Sequence, residues 1–99
     1  MLSVASEMTE IYESDIELMR RSIEFDINNN PKSKLIKLNC KQNIEGNWDY
    51  FYQIYDSDGN ELLKSSELLS VSAYRNKVYK ETISEMIQQD FKGLVIQDR

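Results

Sequence analysis

The stretch Trp48-Asp49-Tyr50-Phe51-Tyr52-Gln53-Ile54-Tyr55-Asp56-Ser57-Asp58-Gly59-Asn60-Glu61-Leu62-Leu63-Lys64-Ser65-Ser66-Glu67 decides how this chain folds, because it satisfies two periods at once. Counted by twos, Trp48, Tyr50, Tyr52 and Ile54 line one face of a strand built from residues that favour extended backbone. Asp56–Asn60 then has hairpin-turn chemistry, with a glycine able to take positive φ, and Glu61–Ser65 returns as a further strand. Counted by threes and fours, Trp48, Phe51, Tyr52 and Tyr55 instead form one face of a helix that enters a loop, and Leu68 and Val71 suit a helix that leaves it.

On the second count, residues 56–67 resemble an EF-hand calcium loop. Asp56, Asp58 and Asn60 stand at loop positions 1, 3 and 5, Leu62 offers a carbonyl at position 7, and Glu67 stands at 12, where the family uses a bidentate carboxylate. The resemblance implies bound Ca2+ between two helices. Position 6, however, is Glu61 where that loop wants glycine; a second stretch, starting at Asp26, has Pro31 and Lys37 where a ligand loop needs glycine and an acid, and Asp90–Arg99 is too short for a full loop. Because Asp, Gly and Asn are equally what a hairpin demands, the strand reading is preferred and the calcium module kept as the alternative.

Outward from this stretch the periods are clearer. From Ser6 to about Ile27 the residues Met8, Ile11, Tyr12, Ile16, Met19 and Ile23 recur at helical spacing, with Ser6 or Thr9 as the expected cap. Asn28-Asn29-Asn30-Pro31 stops that helix. Leu35–Cys40 alternates as a half-buried strand with Ile36, Leu38 and Cys40 inward, and Gln42–Asn47 turns it. A second helix is expected from a cap at Ser70 or Ser72 to about Asp90, burying Tyr79, Ile83, Met86 and Ile87 with Tyr74 and Val78 beside them, and Gly93 as its C′ residue. The expectation is an α+β fold in one domain, residues 1–99: a three- or four-stranded antiparallel meander with two amphipathic helices in the order αβββα, and optionally a last strand at Leu94-Val95-Ile96.

Composition narrows the chemistry. The 99 residues hold no histidine and a single cysteine, Cys40, so neither a Ser-His-Asp triad, a Cys-His pair nor a zinc tetrahedron of the usual ligands can be assembled. The three glycines stand apart, which removes phosphate-cradling loops. These absences point to a protein that is not an enzyme and needs no cofactor. A lone cysteine, no membrane-length apolar run and no leader at Met1–Met8 suggest a cytoplasmic protein without a membrane partner.

Net charge is −5, which disfavours direct nucleic-acid binding, and it is segmented: residues 31–44 carry four lysines and no acid, while the helix before them is acidic. The aromatics of 48–55 beside Lys34, Lys37 and Lys41 look like a base-stacking platform, but their alternation assigns them to the core. On the first helix Glu10, Glu13, Glu17 and Glu24 share one side, spread over about 21 Å of axis, with Arg20 and Arg21 placed for i,i+4 pairs. In size and charge the chain resembles the small acidic inhibitors of phages and mobile elements, anti-CRISPR proteins and other nucleic-acid mimics among them. That likeness implies an adaptor or inhibitor whose carboxylates occupy a basic surface on a protein partner.

Overall fold

A computed structural model describes residues 11–97. Its elements are α1 (Glu13–Asn28), β1 (Leu35–Gln42), β2 (Trp48–Tyr55), β3 (Glu61–Lys64), β4 (Leu69–Val71), a 3-10 turn (Ala73–Arg75), α2 (Asn76–Asp90) and β5 (Val95–Gln97). Among the described residues the fold is α+β, with two helices and a five-stranded mixed sheet in the order β3-β2-β1-β5, and β4 also pairs with β2.

The sheet is organised by β2, whose residues pair antiparallel with β1 from Leu35↔Tyr55 to Gln42↔Trp48. Tyr50, Tyr52 and Ile54 are fully buried on one face, as period two requires, and Ile36 joins them from β1. Both helices pack on this face: α1 through Met19 and Ile23, α2 through Tyr79, Ile83, Met86 and Ile87. Phe51 and Tyr55 belong to the other face, where Lys64 lies over the Phe51 ring.

The two hairpin loops are built alike. In Asn43–Asn47 the Asn43 Oδ1 accepts the backbone N–H of Glu45 (2.9 Å) and of Asn47 (3.1 Å), Asn43 N–H donates to the Asn47 carbonyl (2.8 Å), and Gly46 sits at φ +89°. In Asp56–Asn60 the Asp56 Oδ1 accepts the N–H of Asp58 and of Asn60 (both 2.9 Å), Asp56 N–H donates to the Asn60 carbonyl (3.0 Å), and Gly59 sits at φ +85°. An Asx-x-x-Gly-Asn pentapeptide thus closes both turns, a repeat within the chain that the sequence reading passes over.

Three tyrosine hydroxyls tie the helices down. Tyr52, from β2, donates to Asp26 Oδ2 of α1 (2.5 Å) and accepts from Ser22 Oγ (2.6 Å). Tyr79, from α2, donates to Asp15 Oδ2 (2.7 Å) and accepts the N–H of Tyr12 (3.1 Å), the residue that precedes α1. The Tyr50 hydroxyl meets the carbonyl of Asn76 (3.0 Å) and its side-chain oxygen, where α2 begins. Burial pushes all three phenols above their ordinary pKa, so they remain donors.

Several expectations are corrected. Helix α1 starts at Glu13 with Tyr12 at its N-cap and no side-chain cap, and the expected caps Ser6 and Thr9, with Met8, lie outside the described residues. Asn30, beyond the helix, donates through Nδ2 to the Asp26 carbonyl and closes the last turn. Ser70 does not cap the second helix: it lies in β4, opposite Asp49, and a 3-10 turn intervenes before α2. Tyr74 is exposed instead of sharing the buried face. Gly93 is not a positive-φ C′ residue, because α2 ends at Phe91, whose ring is buried in the core and takes the chain out of the helix. The last strand forms, but β5 runs parallel to β1, since a chain returning across a helix delivers a strand in the same direction as its neighbour. The sheet is therefore mixed and not an antiparallel meander.

Tyr52→Phe keeps the ring and leaves Asp26 short of its donor. We expect a loss of about 1–3 kcal/mol of unfolding free energy in urea, with the slope of the transition unchanged.

Candidate functional site

The outward side of α1 is the first candidate. Helical spacing puts Glu13, Glu17 and Glu24 away from the buried Met19 and Ile23, as expected, while Glu10 lies outside the described residues. The carboxylates do not form a bare row. Arg20 bridges two of them, reaching Glu17 through Nη2 (2.5 Å) and Glu24 through Nη1 (3.1 Å), and Arg21 Nε also donates to Glu17 (2.8 Å). Hydrogen bonds from Arg20 and then Arg21 hold the Glu17 carboxyl down from its ordinary 4.5 to about 2, and Glu17 raises the guanidinium of Arg20 in turn. The i,i+4 pairs expected from sequence are present, and the i,i+3 pair Glu17–Arg20 joins them into a ladder. Glu13 alone of the three makes no hydrogen bond or ion pair with the described residues.

About 110° around the axis from these carboxylates the sequence reading missed an apolar pair. Phe25 is 67% exposed and Leu18 45% exposed. Seven residues apart, they lie within about 20° of each other around the axis, outside the buried arc. That offset was the available signal: neither residue belongs to the periodic apolar set that marks the helix.

The second candidate, the calcium-like loop, takes a different form from the family it resembles. The entering segment is strand β2, not a helix, and β3 and β4 follow the loop. Asp56 spends its carboxylate on its own loop, with Oδ2 also accepting from Asn60 Nδ2 (3.4 Å), and the backbone N–H of Asn60 is the chief cause of its lowered pKa. Asp58 and Asn60 are exposed in the same turn, and Leu62 is in β3. Glu67 is elsewhere: the next residue, Leu68, donates its N–H to the Tyr50 carbonyl, which sets Glu67 beside the middle of β2, about 17 Å along the strand from Asp56. The structure therefore brings together Asp56, Asp58 and Asn60 but not Glu67. Among the described residues no group of three or more His, Cys, Asp or Glu could hold a metal ion.

A surface hollow of about 200 Å³ is lined by Lys41, Phe51, Lys64, Ser65, Ser66 and Glu67, and another of about 260 Å³ lies between the end of α1 and Gly93. The first holds one carboxylate and the second none, so neither offers the carboxylate pair of acid–base chemistry. Among the described residues no helix is long and apolar enough to cross a membrane. No protein-family model, no curated protein and no solved structure matches the chain.

Two outcomes are expected. In Arg20→Ala the Glu17 carboxyl, followed by NMR titration, moves up from about 2 toward 4.5. Because the native pKa lies below the unfolded one, the ladder's stabilisation is present above about 4.5 and is lost as pH falls toward 2, so the wild type loses more thermal stability across that window than the variant. For the loop, millimolar calcium added over magnesium leaves the backbone amide signals of residues 56–67 in place, whereas Asp56→Ala shifts those of Asp58 and Asn60 and lowers the melting temperature.

Proposed function

We propose that this chain is a non-catalytic protein-binding module, an adaptor or inhibitor that lays the outward side of α1 on a basic surface of its partner. The observation that carries the reading is the exposed pair Leu18 and Phe25 on the outward side of α1, which also carries Glu13, Glu17 and Glu24, while the opposite side of the helix is engaged with the core. An aromatic residue exposed on a rigid helix is the kind of anchor that fills a partner pocket, and helix-in-groove recognition uses apolar positions spaced by whole turns. The carboxylates divide the labour with this pair. Glu13, which makes no ion pair with the described residues, steers approach, the arginine-paired Glu17 and Glu24 set register, and the burial of Phe25 sets how long the complex lasts.

A basic, groove-bearing partner such as a nucleic-acid-binding protein fits both features. Occupancy of its groove would block the polyanion without any chemistry, which matches the size and charge of the inhibitors the chain resembles. The absence of histidine is consistent with that mode of action.

The test is affinity capture from cells of the protein's own source with the wild-type chain, followed by kinetics on the recovered partner. Leu18→Ser with Phe25→Asp should raise the dissociation rate about tenfold or more. Glu13→Lys with Glu17→Lys should instead slow association and flatten its dependence on salt. A partner that binds all three chains equally places the interface elsewhere and ends this reading.

A further inference from the structure

The face of the sheet turned away from both helices carries part of the aromatic stretch. Period two sends Tyr50, Tyr52 and Ile54 into the core, so Phe51 and Tyr55 stand half-buried on the open side, with Asn39 of β1 opposite Phe51. Lysines surround the Phe51 ring. Lys37 and Lys41 are its diagonal neighbours on β1, opposite Gln53 and Asp49, and Lys64 reaches it from β3 with Nζ 5.2 Å from the ring centroid. None of the three lysines makes a hydrogen bond or ion pair with the described residues. Lys41, Phe51 and Lys64 also line the hollow of about 200 Å³, together with Ser65, Ser66 and Glu67.

We propose that this open face binds single-stranded nucleic acid, with one base stacked on Phe51 and the flanking phosphates held by Lys37, Lys41 and Lys64. It goes beyond the reading of α1 and uses the opposite side of the molecule. The occupant follows from two chemistries set side by side. Ammonium groups without a carboxylate partner call for an anion, and an aromatic ring at their centre calls for a flat π partner; a single strand presents both in alternation, as phosphate and base. An acidic peptide answers the lysines and leaves the ring without a partner. A duplex keeps its bases stacked on one another, out of reach of the ring. Tyr55, about 13 Å further along β2, offers a second ring to the same strand.

The net charge of −5 does not describe this face. Glu13, Glu17 and Glu24 point away from the sheet on a helix about 10 Å across, which sets them beyond the Debye length of about 10 Å at 0.1 M salt. Of the carboxylates on the open side, Asp49 accepts from Asn43 Nδ2 (3.0 Å) and Glu61 from Gln53 Nε2 (3.1 Å), whereas the lysines have no such bonds to give up. Glu67 is the one carboxylate of the hollow, against two lysines, and a carboxylate there accepts from the exocyclic amino group of a stacked base. The contact of Lys64 with the Phe51 ring is exposed and therefore weak, so a base displaces it and the ammonium turns to a phosphate.

Fluorescence anisotropy of a short labelled single-stranded DNA of mixed sequence, titrated with the full chain at salt from about 20 to about 200 mM, tests this. Saturable binding is expected at low salt, with Kd about 100 μM or tighter and a slope of log affinity against log salt of about −2, the value for three phosphate contacts on a single strand. Lys41→Ala with Lys64→Ala, both exposed, should flatten that slope to about −0.7. Phe51→Leu should weaken binding about tenfold at every salt and leave the slope in place. Should Phe51→Leu fail to give the wild-type amide spectrum, the lysine pair still decides. Phe25→Asp, on α1, should bind the strand as the wild type does, which separates this face from the helix reading. Absence of saturable binding at the lowest salt overturns the proposal. So does a polyglutamate peptide of equal charge that binds as tightly as the strand and is indifferent to Phe51→Leu, since the face is then a general anion surface.

Discussion

The position of α1 depends on two phenol hydroxyls. Hydrophobic packing of Met19 and Ile23 brings the helix to the sheet but leaves it free to slide and roll, since apolar contact has little direction. Tyr79 fixes its first turn through Asp15 and the N–H of Tyr12, and Tyr52 fixes its last turns through Ser22 and Asp26. Both rings lie in the core and both hydroxyls end on half-buried carboxylates at its margin. Tyr50, on the same face of β2, performs the matching task at the start of α2. One strand thus sets the height of both helices.

This arrangement also settles which of the helix's charges are available. Asp15 and Asp26 are taken by tyrosines on one flank, and Glu17 and Glu24 by arginines on the other. The formal charge of the helix overstates the field it projects, because a charge already satisfied within its own helix gains less from a partner and costs more to desolvate. What α1 offers outward is a ladder of fixed geometry and, about a third of a turn further round the helix, an apolar pair.

Much of the fold was legible, and the exceptions have physical causes. The buried face of α2 could be read from period alone, because it is a long run with one side in the core. The strand character of Trp48–Tyr55, ambiguous by period, could have been decided by noticing that Asn43–Asn47 and Asp56–Asn60 carry the same turn pattern, so that both ends of the segment are hairpins. β4 is only three residues long and shows no period, and the parallel β5 depends on a partner far away in sequence. Of the candidate site, the carboxylates and their i,i+4 arginines were visible in spacing, whereas Leu18 and Phe25 were not, since periodic analysis discards apolar residues that fall off the buried arc. The resemblance to a calcium loop came from real chemistry: the carboxylate that would begin such a loop accepts backbone N–H groups here.

The paired turns bear on the order in which the fold assembles. Each closes over five residues and organises itself through its own side chain, so the β1–β2 and β2–β3 hairpins can form on a scale of roughly microseconds without help from the rest of the chain. The β1–β5 pairing must instead close a loop spanning most of the sequence, which is slower. A three-stranded meander therefore precedes the complete sheet. Until β5 docks, β1 keeps the backbone groups of Leu35–Lys37 on that side unpaired, so the pairing that is slowest to close is also the one that covers this edge.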